Sequence, residues 1–73
     1  METVYIHTEF IKLQQLLKLA GLIEQGSDAK LFLADGLVYV NGVMAKKKKK
    51  KIHPGDVVEV KGSGCVTVLA EPH

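Results

Sequence analysis

The sequence predicts a small α+β fold, two short packed helices followed by a mostly antiparallel β-sheet, and three observations carry that expectation. Apolar residues recur at helical spacing through Phe10, Leu13, Leu16, Leu17 and Ala20. A shorter helical stretch follows, from Ser27 to Asp35. From Leu37 onward the period changes to two, and the turn pairs Asn41-Gly42 and Pro54-Gly55 punctuate the chain.

Each element has its own local reasons. Thr3 to His7 alternates polar and apolar residues and is rich in β-branched side chains, so it reads as a first strand. Thr8 is placed to cap a helix, with Glu9 in its first turn, where the helix dipole favours negative charge. The helix carries Leu13, Leu16 and Leu17 on one face and Gln14, Gln15 and Lys18 on the other, and Gly21 suits its C-terminus. Ser27 is the expected cap of a second helix, which sets Ala29, Phe32 and Leu33 on one face and stops at Gly36. At this length it holds only by packing on the first. "LVYV-NG-VMA" is a hairpin around Asn41-Gly42. "HPGD" places Pro54 and Gly55 at the centre of a type II turn. "DVVEV" and "CVTVLA" make two more strands joined by "KGSG", and the sheet has room to recruit the first strand.

With 73 residues the chain has room for one small domain, 1–73. A domain of that size buries only about 60% of its unfolded surface. Cys65 is the single cysteine, so no internal disulfide staples the core and a reducing, cytoplasmic setting is expected. No apolar run reaches the roughly 20 residues of a membrane span, and the N-terminus lacks the pattern of a signal peptide.

The net charge of +2 hides an asymmetry. Lys46 to Lys51 are six lysines in a row; the rest of the chain has four lysines against eight acids, and there is no arginine. Extended, the run would span about 20 Å at the strand rise of roughly 3.3 Å per residue, enough to cross several phosphates. A strand edge kept soluble by lysine needs one or two of them; six point to a polyanionic partner. Lysine lacks the planar fork that reads guanine, and the two phenylalanines are expected in the helical core, so recognition should rest on backbone charge and shape.

Catalytic and metal chemistry find little support. Asp56 and Glu59 read as a turn residue and an outward strand residue rather than as paired acids. His7, His53, His73 and Cys65 lack ligand spacing, and Cys65 reads as a small core residue. No cofactor and no enzymatic activity are expected.

The order of these motifs resembles the RNA-binding domain named after ribosomal small-subunit protein four, the alpha-L motif. That pattern has a leucine-rich helix ending in glycine, then Ser-Arg-x-x-Ala opening a second helix. Gly-x-Val-x-Val-Asn-Gly follows, then a basic stretch and Gly-Asp. Here "LQQLLKLAG", "SDAKLFLADGLVYVNG" and "KKKKKKIHPGDVV" supply the parts, covering Leu13 to Val60. The resemblance, closest to stand-alone bacterial members, implies binding of structured RNA, ribosomal or transfer RNA, and a ribosome or ribonucleoprotein association. It implies an RNA face along the helix pair and an adjacent lysine-rich hairpin, with contacts by matching position from Lys18, Ser27, Lys30, Lys46, Lys47, Lys48, Lys49, Lys50 and Lys51, and Gln15 and Gln25 as weaker candidates. Ser27 and its helix N-terminus would offer N–H groups to one phosphate. One position departs: Asp28 stands where the pattern has arginine, which shifts the expected binding energy toward the lysine run.

Two rivals remain at this level. One is a protein-interaction adaptor of small β-grasp type using its sheet edge, though the ending "AEPH" lacks the Gly-Gly of sulfur carriers. The other is an anionic membrane surface, for which no amphipathic partner helix is evident, so no membrane partner is expected.

Overall fold

The computed structural model describes residues 2–23 and 26–72, with the side chains of 26 and 27 outside the description. Its elements run β1 (Glu2–Ile6), β2 (Ile11–Lys12), α1 (Leu13–Leu19), α2 (Gly26–Ala34), β3 (Val38–Val40), β4 (Val43–Met44), β5 (Lys51–Ile52), β6 (Val57–Val60) and β7 (Gly64–Ala70). The α+β expectation holds. Five strands form one sheet in the order β1-β7-β6-β3-β4, and β2 pairs with β5 in a separate two-stranded ladder. All pairs are antiparallel except β1 with β7, so the first strand is indeed recruited, in parallel.

Period-two patterning sets the core. Register opposes Val38 to Val60, Val40 to Val58 and Val58 to Val66, which gathers these valines on one face. They form a single buried cluster with Leu13, Leu16 and Leu17 of α1 and Ala29 and Leu33 of α2. Glu59 and Tyr39, opposed on the other face, are exposed and half-buried respectively, as expected for an antiparallel sheet with one wet side.

Both helices stop by the same device. Gly21 (φ 72) donates to Lys18 O at 3.1 Å while Leu22 N–H reaches Leu17 O at 2.9 Å. Gly36 (φ 70) and Leu37 repeat these bonds to Leu33 O and Phe32 O. These are Schellman closures, in which glycine takes the left-handed position without steric cost. The Asn41-Gly42 turn has both residues at positive φ, 52 and 84, the type I′ geometry that matches strand twist. Gly55 (φ 98) and the Asp56 N–H to His53 O bond of 3.0 Å confirm the second turn.

The start of α1 corrects the sequence expectation. The helix begins at Leu13, not after Thr8, and Glu9 and Phe10 lie outside it. Thr8 Oγ1 donates to Phe10 O at 2.8 Å, a local turn instead of a cap. Ile11 and Lys12 pair with Ile52 and Lys51, and that ladder outcompetes the first helical turn. Gln15 Oε1 accepts from the Lys12 N–H at 3.4 Å at the true start. α2 starts at Gly26, one residue ahead of the expected Ser27 cap.

Candidate nucleic-acid interface

The lysine run is neither extended nor the tip of a hairpin. It links β4 of the large sheet to β5 of the small ladder and folds into a turn, closed by Lys50 N–H to Lys47 O at 3.3 Å. Two of its carbonyls cap α1: Leu13 N–H donates to Lys50 O at 2.9 Å and Gln14 N–H to Lys48 O at 3.0 Å. The expected reach of about 20 Å is therefore not realised. The first N–H groups of a helix need acceptors, and here the loop backbone supplies them. Backbone is thus tied down while side chains stay outward; Lys46 to Lys51 are all exposed.

Positive charge accumulates around this loop. α1 has no acid in its first turn, and Lys12 stands at its N-cap opposite Lys51. The helix N-terminus contributes partial positive charge of its own. The ion pairs seen among the described residues, His7 with Glu71 and His53 with Asp56, involve none of Lys46 to Lys51. The Lys51 ammonium instead sits 4.8 Å from the ring centroid of Phe10, whose other ring neighbour is His53 at 6.2 Å. Phe10 thus leaves the helical core expected for it and joins the basic surface; Phe32 packs against the core as foreseen.

Lys30 is exposed on α2 and faces the loop across an open groove of about 770 Å³, floored by Leu33, Ala34 and Met44 and walled by Lys46 to Lys49. A second groove of about 730 Å³ is lined by Lys46, Lys47, Lys50, Lys51, His53 and Asn41 among others. Lys18 is exposed in the last turn of α1 and lines a separate depression with Tyr5, Phe10, Gln15 and Leu19. The structure thus brings Lys30 and the lysine loop together and leaves Lys18 and Gln15 apart from both grooves. Ser27 falls in the first turn of α2, its side chain outside the described residues, as is Gln25. Asp28 is half-buried in that first turn.

A polar clasp that sequence reasoning missed holds the two turns beside the loop. Asn41 Nδ2 donates to Asp56 Oδ1 at 3.1 Å, and Asn41 Oδ1 accepts from Val57 N–H at 2.9 Å. His53 N–H donates to Asp56 Oδ2 at 2.8 Å. That backbone bond holds the Asp56 carboxyl below its ordinary pKa; burial opposes it, and Asn41 and the charges of His53 and Lys50 add further downward pulls. The signal was present, since "VNG" and "GD" are both turn motifs, and pairing Val40 with Val58 brings their turns side by side.

Among the described residues no helix is long and apolar enough to cross a membrane, and no group of three His, Cys, Asp or Glu residues is gathered to hold a metal ion. Cys65 is half-buried near the start of β7.

Comparison with known proteins adds three findings. Residues 4–69 match the family model described as the S4 domain. The chain is 42% identical over 66 residues to a protein of Bacillus subtilis (strain 168) named "Probable ribosome maturation protein RlbA", spanning 90% of this chain and 93% of that one. It is 40% identical over 58 residues to the "Putative RNA-binding protein YbcJ" of Escherichia coli (strain K12), spanning 80% and 83% of the two.

Proposed function

The chain belongs to the S4 domain family, and from that premise we propose that it is a non-catalytic module that docks on structured RNA through its lysine loop and the adjacent face of α2. The observation that carries this reading is the loop itself. Its backbone is fixed to the N-terminus of α1, and its exposed lysines Lys46 to Lys49 line one groove with Lys30. Such an arrangement offers a preset array of point charges to phosphates. The energy comes from Coulomb attraction and from release of the counterions condensed on the RNA. The names of the two relatives, one tied to ribosome maturation and one to RNA binding, support ribosomal RNA as the first ligand to try and a cytoplasmic place of action.

Lys46 to Lys51, Lys30 and the N-terminal turn of α2 with Ser27 form the proposed contact set, with Lys18 as an outlying contact. Lysines without arginine favour A-form shape and charge over base identity. The test is titration against a folded ribosomal RNA fragment at several salt concentrations, beside a variant with all six loop lysines changed to glutamine. Glutamine keeps the backbone carbonyls that cap α1, so the fold should survive, and circular dichroism checks that it does. Three to six neutralised phosphates give a log–log salt slope of about −2 to −5, at roughly 0.7 to 0.9 per phosphate. A wild-type slope near zero, or a folded variant that binds as tightly as wild type, refutes the proposal. Binding that persists at high salt and maps to the strands would favour the sheet-edge adaptor instead.

A further inference from the structure

The turn in the lysine run has a consequence for which RNA it fits, and the inference rests on the RNA-binding reading above. Six lysines on an extended strand would follow a single phosphate chain. Here the Lys50–Lys47 bond and the two caps on α1 fold the loop back on itself, and its lysines divide between two grooves. Lys48 and Lys49 line only the α2 groove, with Lys30. Lys50 and Lys51 line only the second groove, with His53. Lys46 and Lys47 border both. Asp56 also lines the second groove, but its two carboxylate oxygens are taken up by Asn41 Nδ2 and the His53 N–H, and its side chain is 26% exposed. Cations on that side therefore outweigh the single acid.

We propose that the lysine loop straddles two phosphodiester backbones at once, one per groove, so that its ligand is base-paired RNA. An A-form helix has a deep, narrow major groove bordered by two phosphate rows. A basic loop over its mouth sends Lys48, Lys49 and Lys30 to one row and Lys50 and Lys51 to the other. A single strand fills one groove at a time and leaves the other's lysines unneutralised. The preference for duplex thus follows from the loop's fold and needs no base contact.

The experiment compares a blunt RNA duplex with an unstructured uridine oligomer of equal phosphate count, using the full chain. Three folded variants are titrated beside wild type: Lys48→Gln with Lys49→Gln, Lys50→Gln with Lys51→Gln, and all four together. On the duplex, each pair should lower the magnitude of the salt slope by about 1.8, near 0.9 per lost phosphate contact. On the oligomer, either pair alone should cost no more than about twofold, because one of two alternative sites survives, while the fourfold variant loses most binding. Equal losses on duplex and oligomer from each pair would mean one continuous track; that overturns the straddle and leaves RNA binding standing. Absence of wild-type binding to both probes and to the folded ribosomal fragment would remove the RNA reading as well.

Discussion

Replacing Asn41 with alanine attacks the clasp that sets the edge of the second groove. Asn41 lies at φ 52, a left-handed conformation that asparagine tolerates and alanine does not, which costs about 1 kcal/mol. Its side chain also makes two hydrogen bonds, to Asp56 and from Val57. Both lie at the surface, so each is set near the low end of the usual range, about 0.5 kcal/mol. The sum is about 2 kcal/mol, or a fall in Tm of roughly 8–16 °C for a domain of this size. Thermal unfolding followed by circular dichroism at pH 7 reads it directly.

A pH series adds a second readout. The Asp56 pKa is lowered in the folded state, so its contribution is present above the unfolded value near 3.8 and disappears as pH falls through the folded value. Removing Asn41 removes one of the causes, so the gap between wild type and Asn41→Ala should narrow in acid. Asn41→Asp keeps an acceptor for Val57 N–H but sets a second carboxylate against Asp56, so its deficit should shrink still more as the pair protonates. An Asn41→Ala protein within about 0.5 kcal/mol of wild type, with an unchanged acid limb, would refute the clasp.

Two further outcomes follow from the same geometry. Gly55→Ala meets no neighbour within 4 Å, so its cost is backbone strain alone at φ 98; about 1–2 kcal/mol is expected, a Tm loss on the order of 10 °C, and a silent substitution would refute the type II turn. Added salt should move stability and binding in opposite directions. Raising ionic strength to physiological values shortens the screening length to about 8 Å and relieves the repulsion of Lys12, Lys51 and the loop, so Tm of the free protein rises while RNA affinity falls; a Tm that drops or stays flat would mean the loop is not under electrostatic strain.

The sequence by itself determined the parts whose causes are local. Gly21 and Gly36 end their helices because a left-handed residue must stand there, and Asn41-Gly42 and Pro54-Gly55 turn the chain for the same reason. The alternating valines specified which face of the sheet is buried. The basic arm was legible as composition, and the order of motifs led to the family. What only the tertiary structure decided were the features that join residues distant in the chain. Phe10 to Lys12 carry helical spacing, yet Ile11 and Lys12 become strand because Lys51 and Ile52 arrive beside them. No window of the sequence contains both partners. The lysine run reads as a line of charge, and its shape comes from carbonyls that found the unsatisfied N–H groups of Leu13 and Gln14. Lys30 faces that loop and Lys18 does not because α2 packs next to it and the end of α1 points elsewhere. Local dihedral preference is written residue by residue, whereas the satisfaction of a helix end or a strand edge depends on which distant backbone the folded core brings within 3 Å.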